Sequence, residues 1–241
     1  MKVFVLIPAA GLGTRMAPVA GAPKQFTEIA GVPILIHTLR KFAAVPEVSE
    51  IYVALRSPDQ ERFRPRLEQE GLARPVRLVE GGENRQQSVA NALAEMQAHS
   101  QPAPDDIVLV HDAVRPFVDT PTIRNVIAAA DKHGAAIAGV PAVDTVKQVD
   151  RTADGAIVIT TIPRERVVMA QTPQGFRYGV VKKAFDEALA DGFTGTDEAS
   201  LVERSGHEVA VVMGSARNLK ITSPADLELA EFYLAQEGRK A

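Results

Sequence analysis

The sequence predicts an α/β fold in which one mainly parallel, twisted sheet is covered by helices on both faces. Short β-branched runs alternate with amphipathic stretches along the chain. The strand-like runs are continuously apolar, as expected for strands that are buried on both faces. No internal repeat, low-complexity tract or flexible linker divides the 241 residues. We therefore expect a single three-layer domain that spans residues 1–241.

The apolar runs predict these strands in chain order: KVFVLI, EIYVAL, PVRLVE, DDIVLVHD, AAIAGVP, RVVMAQTP and EVAVVM. Helices are predicted between them, because apolar residues recur there at helical spacing. The helices are PILIHTLRKFAAV, SPDQERFRPRLEQEG, NRQQSVANALAEMQA, TPTIRNVIAAADKHG, YGVVKKAFDEALADG, TDEASLVERSG and SPADLELAEFYLAQEG. Ser57, Thr120 and Ser223 each precede a proline and are expected to cap a helix, and Gly134 is expected to end one.

Residues 143–162 depart from this alternation. Two β-like runs flank Asp154 and Gly155, and an Asp-Gly pair is a strong signal for a hairpin turn. A two-stranded ribbon is only marginally stable in water, so this hairpin must pack against another surface. The residues leave two alternatives open, which are an extra hairpin at the sheet edge and a projecting arm that pairs subunits.

Composition and charge exclude several classes of function. The net charge of −3 provides no global attraction to nucleic acid or to an anionic membrane, so neither is an expected partner. The absence of cysteine from the sequence excludes disulfides, thiolate nucleophiles and Cys-ligated zinc, and it fits a cytoplasmic location. The opening MKVFVLIP is too short for a signal peptide or a membrane span. Because the net charge is negative, a site that binds an anion must depend on a cluster of positive residues at that site.

A glycine-rich loop, IPAAGLGTRM, follows the first predicted strand. Gly11 and Gly13 allow a tight turn whose amide groups face an anion. Arg15 and Lys24 add positive charge, and residues 8–25 contain no acid. This combination predicts a phosphate site, with a solvent-exposed turn as the simpler alternative. The Walker spacing does not occur here, and a methionine occupies the third glycine position of the dinucleotide pattern.

A second cluster, GGENRQQS, follows the third predicted strand at residues 81–88. The amide groups at a helix start can receive polar ligand atoms. Ser88 lies one turn further along the helix and could donate to the edge of a base. Capping of the helix by Asn84 is the alternative interpretation.

A third cluster, VHDAVRP at residues 110–116, ends the fourth predicted strand. A carboxylate at Asp112 is costly to bury unless it holds a cation or hydrogen-bond donors. This position suits a Mg²⁺-associated or ribose-binding group, and an internal ion pair with Arg115 is the alternative. His111 alternates with Asp112 along the strand, so we expect it to point away and to be structural.

Later segments supply further charge and hydroxyl groups at Arg164, Thr172, Thr196 and Lys220. Each of them alone fits a structural role better than a functional one. Thr196 could cap a helix. The methylene groups of Lys220 could pack over apolar neighbours while its amine stays in water. The histidines form no H-x-x-x-H pair and the serines no G-x-S-x-G motif, so a hydrolytic triad is not supported.

Taken together, these segments resemble the 2-C-methyl-D-erythritol 4-phosphate cytidylyltransferases of the non-mevalonate isoprenoid pathway. They span residues 8–222 in the family's order: PAAGLGTRM, PKQF, GGENRQQSV, VHDAVRP, DTVKQ, TPQGF, TDEAS and NLKIT. The resemblance implies a single-function nucleotidyltransferase of Rossmann-like fold, with CTP and methylerythritol phosphate as substrates and Mg²⁺ or another divalent cation as cofactor. It also implies a homodimer, in which the hairpin at about 143–162 is an arm that reaches the other subunit's active site.

The resemblance also implies roles for individual residues. Those expected to bind the nucleotide are Pro8, Ala9, Ala10, Gly11, Gly13, Gly82, Glu83, Ser88, Asp112 and Ala113. Those expected to bind methylerythritol phosphate are Arg115, Thr145, Arg164, Thr172, Thr196 and Lys220. Those expected to act in catalysis are Arg15, Lys24, Arg164 and Lys220, and Asp112 is the expected metal ligand.

The implied reaction is an in-line displacement, in which a substrate phosphate oxygen attacks the α-phosphorus of CTP and pyrophosphate leaves. The attacking phosphate is already ionised near neutral pH, so positioning and electrostatic stabilisation should supply most of the rate. Three alternatives remain: a cytidylyltransferase with another acceptor such as ribitol 5-phosphate, an NAD(P)-dependent oxidoreductase, and a non-catalytic nucleotide binder. The incomplete dinucleotide pattern argues against the oxidoreductase.

Overall fold

The computed structural model describes residues 1–11 and 23–237. The strands are β1 (Val3–Pro8), β2 (Glu28–Ile29), β3 (Val32–Pro33), β4 (Val48–Leu55), β5 (Val76–Glu80), β6 (Ile107–Val110), β7 (Ala135–Pro141), β8 (Val146–Thr152), β9 (Gly155–Ile162), β10 (Val168–Arg177) and β11 (Ala210–Met213). The helices are α1 (Ile34–Ala43), α2 (Ser57–Glu70), α3 (Arg85–Ser100), α4 (Thr120–His133), α5 (Tyr178–Ala190), α6 (Glu198–Arg204) and α7 (Pro224–Glu237).

A seven-stranded sheet in the order β11-β7-β10-β6-β1-β4-β5 forms the centre of the molecule. Neighbouring strands run parallel except β10, which is antiparallel to both β6 and β7. This confirms the predicted mainly parallel α/β sheet. It also places the carboxyl ends of β1, β4, β5 and β6 at one edge of the sheet, where the loops that follow them meet.

The sheet is buried on both faces, as its continuously apolar strands predict. Along β1, Val5 and Ile7 belong to a core cluster that also contains side chains of α1 and α4. Phe4 and Leu6 alternate with them and belong to a second cluster, which includes side chains of α3, α5 and α6. Each buried aliphatic side chain contributes about 1.5–3 kcal/mol relative to exposure. The strand ends at the functional edge are therefore held by packing on both sides.

The helix boundaries are close to those predicted, with corrections at three N-termini. The N-cap of α2 is Arg56 and not Ser57, whose hydroxyl instead donates to the Glu80 carboxylate. The N-cap of α4 is Asp119 and not Thr120, because the Asp119 carboxylate accepts from the amide of Thr122 at 2.7 Å. A carboxylate accepts from a free amide more strongly than a hydroxyl does. Similarly, Asp197 and not Thr196 caps α6, where its side chain accepts from the amide of Ser200.

The hairpin of β8 and β9 forms a two-stranded sheet of its own, outside the main sheet. Its side chains are largely exposed to solvent, and the apolar Ile157, Val158 and Ile159 are each more than half exposed. The segment is therefore a projecting hairpin and not an addition to the edge of the main sheet, and its pairing with another subunit stays a prediction. Across the described ranges, 1–11 and 23–237, no helix combines the length and apolarity that a membrane span requires.

Candidate active site

A cavity of about 300 Å³ lies at the edge of the sheet where β1, β5 and β6 end. The loops after these three strands form its walls, together with the turn that begins at Lys24 and the segment that contains Lys220. The lining residues are Pro8, Ala9, Ala10, Gly11, Lys24, Gln25, Gly82, Glu83, Asn84, Arg85, Ser88, Asp112, Ala113, Val114 and Lys220. The predicted site residues Gly13 and Arg15 lie outside the residues that the structure describes.

The buried side chain of Gln25 joins two parts of the cavity wall. Its Nε2 donates to the carbonyl of Ala9 at 2.6 Å and lies 3.4 Å from the carbonyl of Gly11. These bonds attach the short 3-10 turn at Lys24–Phe26 to the loop after β1. The position of Lys24 relative to the loop is therefore fixed by its neighbour in the sequence. Sequence reasoning missed Gln25, although it belongs to the quoted PKQF motif.

Two glycines after β5 allow a close approach between the loops. A Cβ atom on Gly81 would lie 2.2 Å from the Cβ of Ala10, and one on Gly82 would lie 2.4 Å from the Cγ of Gln87. The amide of Gly82 donates to Ser88 Oγ at 3.0 Å, and that hydroxyl donates to the carbonyl of Asn84 at 2.9 Å. The hydroxyl of Ser88 therefore holds the loop after β5 against the start of α3. Its backbone partner Gly82 lines the cavity.

Asn84 is the N-cap of α3, because its side chain accepts from the amide of Gln87 at 2.8 Å. The helix cap expected at Asn84 is thus confirmed. It does not exclude a role in binding, since Asn84 also lines the cavity.

Asp112 stands at the centre of a cluster of cations. Lys220 Nζ lies 2.8 Å from its Oδ2, Arg85 Nε lies 3.2 Å from its Oδ1, and Arg115 Nε lies 3.6 Å from Oδ2. Burial alone would raise the pKa of Asp112, but the three cations outweigh that effect and hold the pKa well below its usual range. The simple Asp112–Arg115 pair considered from the sequence is therefore only one part of a larger network.

Arg85 connects this cluster to a second buried carboxylate. Its Nη1 donates to Glu198 Oε1 at 2.6 Å, and Glu198 is only 1% exposed at the first turn of α6. Burial raises the pKa of Glu198. Sequence reasoning missed both residues. Each belongs to a quoted motif, GGENRQQS or TDEAS, but their separation of 113 positions in the sequence conceals the contact.

The structure agrees with the structural role expected for His111, which is fully buried. Its Nε2 donates to the carbonyl of Arg115 at 3.1 Å, so Nδ1 accepts from the Thr172 hydroxyl at 3.1 Å. Thr172 Oγ1 in turn accepts from the amide of Asp112 at 3.0 Å. The predicted substrate-binding residue Thr172 is thus buried beneath Asp112 and fixes its backbone.

The segment that carries Lys220 is attached to the same network. Arg115 Nη1 donates to the carbonyl of Asn218 at 2.7 Å, and Asn218 Nδ2 donates to the carbonyl of Thr172 at 2.8 Å. The amide of Ile221 donates to the carbonyl of Val114 at 2.9 Å, and Ile221 is fully buried. Lys220 is therefore presented to Asp112 by a rigid segment. Arg115 helps to hold this segment in place. It is not among the described residues that line the cavity.

Three predicted substrate-binding residues lie away from this cavity within the described part of the chain. Thr145 and Arg164 are exposed at the base of the arm, where Arg164 Nη1 donates to the carbonyl of Val143 at 2.8 Å. Thr196 is exposed immediately before α6. Among the described residues, the structure thus groups those expected to bind the nucleotide, together with Lys220, around one cavity. The other residues expected to bind the acceptor do not line that cavity.

Comparison with known proteins gives one consistent result. The family model described as IspD, 2-C-methyl-D-erythritol 4-phosphate cytidylyltransferase, matches residues 3–236. The protein of that name from Acidobacterium capsulatum is 58% identical over 245 residues, covering 100% of both chains. The crystal structure of the Francisella tularensis protein of the same name has a TM-score of 0.80 and 36% identity, covering 96% of this chain and 99% of that one. A structure of 4-diphosphocytidyl-2C-methyl-D-erythritol synthase from Anaerococcus prevotii has a TM-score of 0.80 and 31% identity, covering 97% of this chain and 98% of that one.

Proposed function

Because the chain belongs to the family of 2-C-methyl-D-erythritol 4-phosphate cytidylyltransferases, we propose that the cavity beside Asp112 is its active site. The enzyme joins CTP to 2-C-methyl-D-erythritol 4-phosphate, giving 4-diphosphocytidyl-2-C-methyl-D-erythritol and pyrophosphate. One observation carries the proposal about the site. Every described residue that the sequence predicts for nucleotide binding lines the same cavity.

The chemistry needs charge stabilisation more than proton transfer. The acceptor phosphate has a second pKa near 6 and is a dianion at neutral pH, so it can attack without a protein base. The bond from its oxygen to the α-phosphorus forms as the bond to pyrophosphate breaks. Two anions must approach each other, and preorganised cations such as Lys24 and Lys220 reduce that cost. Arg15 is proposed to act with them.

The nucleotide is proposed to bind through backbone groups of residues 8–11 and 82–83. The glycine at position 82 allows the loop after β5 to close on the helix start, which leaves a narrow space for a pyrimidine. Asp112 and Ala113 are proposed to contact the ribose. The free amides at the start of α3 add a positive dipole end on the same side.

Mg²⁺ is the proposed cofactor, and the cavity fits it in part. Mg²⁺ usually takes one or two protein carboxylates and completes its shell with substrate phosphates and water. Asp112 supplies one such carboxylate, and its low pKa keeps it ionised. No group of three or more metal-ligating side chains occurs among the residues described, so the triphosphate would provide the other ligands. The ion would neutralise charge on the phosphates.

The acceptor site is proposed to form between two subunits. Thr145 and Arg164 lie at the base of an arm whose exposed apolar side chains need a partner surface. Neither residue lines the cavity of its own chain within the described ranges. We expect a homodimer in which each arm carries Arg164 toward the other subunit's site, where it orients the acceptor phosphate together with Lys220. A cytoplasmic location is expected, with no nucleic-acid or membrane partner.

Pyrophosphate release tests the proposed function. CTP, UTP, ATP and GTP are each supplied with Mg²⁺ and either methylerythritol phosphate or ribitol 5-phosphate. We expect turnover only with CTP and methylerythritol phosphate, and its loss when EDTA is added. Faster release with ribitol 5-phosphate would reassign the acceptor, and CTP binding without any release would indicate a non-catalytic binder.

Subunit complementation tests the proposed arrangement of the arm. The variants Arg164→Ala and Lys24→Ala are each expected to lose most of their activity as homodimers when methylerythritol phosphate is supplied well below its KM. If the arm acts across the interface, a mixed dimer contains one intact site, and co-expression restores a measurable part of the activity. Failure of co-purified mixed dimers to recover activity would contradict the shared site.

A further inference from the structure

Arg85 makes two bonds to carboxylates that belong to different parts of the fold. It is the first residue of α3, and it lines the cavity. Its Nε lies 3.2 Å from Asp112 Oδ1, after β6, and its Nη1 lies 2.6 Å from Glu198 Oε1, at the start of α6. Because the guanidinium is planar, bonds from two of its nitrogens determine both its position and the orientation of its plane.

The stability of the fold does not account for this arrangement. Glu198 is almost completely buried, so its desolvation is expensive. A buried ion pair returns little net stability compared with apolar side chains of similar volume. The main consequence of the ion pair between Arg85 and Glu198 is geometric, because it holds the guanidinium of Arg85 in one position in the cavity wall.

The start of α6 is attached to the cavity wall by further bonds. Gln86, next to Arg85, accepts from the amide of Gly195 through Oε1 at 2.9 Å. Gln174 on β10 donates to Asp197 Oδ2 at 2.8 Å and accepts from the amide of Ala199 at 3.0 Å. Residues 195–199 are therefore attached both to the start of α3 and to β10.

We propose that Arg85 and Glu198 are positioning residues for the transfer reaction. Glu198 holds Arg85 against Oδ1 of Asp112, which leaves Oδ2 turned toward Lys220. The same ion pair joins the nucleotide side of the site to the segment that carries Thr196 on the acceptor side. This inference rests on the proposed function of the cavity.

Removal of the Glu198 carboxylate changes the hydrogen bonds that are available to the Arg85 guanidinium. With a single carboxylate left, the guanidinium fork can pair with both oxygens of Asp112, which is its preferred geometry. It then competes with Lys220 for Oδ2. Asp112 loses its orientation, although the number of charges that contact it is unchanged.

Steady-state kinetics on four variants tests this inference. Glu198→Ala and Arg85→Met are expected to lower kcat by roughly 10–100-fold, the usual effect of removing a supporting partner of a site residue. Glu198→Gln keeps an oxygen that accepts from Arg85, so its kcat should stay within roughly fivefold of wild type. The double variant Arg85→Met/Glu198→Leu should recover the melting temperature by packing, but its kcat should remain low.

Two further measurements separate positioning from a general loss of structure. CTP binding by calorimetry, without acceptor, reports the orientation of Asp112 independently of turnover, and we expect it to weaken in Glu198→Ala. The matched control is Arg204→Ala, on the same helix as Glu198, which breaks an exposed ion pair with Asp191 at the end of α5. Its kcat and CTP affinity should equal those of wild type.

Several results would overturn the inference. One is a folded Glu198→Ala with kcat and CTP affinity within twofold of wild type. Another is a double variant whose kcat recovers together with its melting temperature. Asp112→Asn distinguishes this failure from failure of the proposed function. If Asp112→Asn is also fully active, the cavity is not the active site, whereas an inactive Asp112→Asn beside an active Glu198→Ala refutes only the positioning role.

Discussion

The buried histidine beneath Asp112 makes the stability of this enzyme depend on pH in a defined way. His111 is fully buried, packs edge-on against Phe42 with ring centroids 4.7 Å apart, and has Arg115 and Asp112 nearby. Burial lowers the pKa of His111 from 6.5 to about 4. The folded protein therefore keeps this ring neutral at pH values where the unfolded chain is protonated.

The sign and size of the effect follow from these two pKa values. Above pH 6.5 the ring is neutral in both states, and the stability it contributes is fully present. As the pH falls from 6.5 toward 4, only the unfolded chain takes up a proton. The free energy of unfolding then decreases by about 1.4 kcal/mol per pH unit, and by roughly 3 kcal/mol in total.

Urea unfolding of the wild type and of His111→Gln at pH 7, 5.5 and 4.5 measures this contribution. Glutamine can still donate to the carbonyl of Arg115 but does not titrate. The variant is expected to be less stable than wild type at pH 7, and the difference should shrink by roughly 2.5 kcal/mol between pH 7 and pH 4.5. The other titratable groups are common to both proteins, so their contributions are removed by taking the difference between the two profiles. Parallel pH profiles for the two proteins would refute the reasoning.

The other predictions concern binding and turnover. Lys24→Ala and Arg15→Ala should each lower kcat by roughly 10²–10³ in the pyrophosphate assay with an unchanged melting temperature, and a variant with near wild-type turnover would contradict the assigned role. Arg164→Ala should raise KM for methylerythritol phosphate by at least about tenfold, while calorimetry finds CTP affinity unchanged; weaker CTP binding would mean that our division of the site is wrong. Gly82→Ala places a Cβ 2.9 Å from the backbone carbon of Gln87, so the loop must move and CTP affinity should fall at least about tenfold; unchanged affinity would show that this loop does not contact the nucleotide.

Much of the fold and of the cavity could be predicted from the sequence. The periodicity of apolar residues identified the main strands and helices, because burial on one or both faces leaves a local pattern. Residues 8–11, 82–83, 88 and 112–113 were expected from the family resemblance to bind one nucleotide, and they line one cavity. The helix caps were predicted less well. Asp119 and Asp197 displaced the neighbouring threonines, since a carboxylate is the stronger acceptor for free amides.

The tertiary structure decided the contacts that no local pattern encodes. Arg85 and Glu198 are 113 positions apart, and their ion pair exists only because α3 and α6 pack on the same face of the sheet. The placement of the arm is another feature that local sequence does not encode. Its pattern of strand residues is the same whether the hairpin joins the edge of the main sheet or projects from it. By itself the sequence determined which segments are strands, helices and ligand-facing loops, since these depend on neighbouring residues. The partners of each buried charge depend on how distant elements pack, and only the assembled fold specifies that.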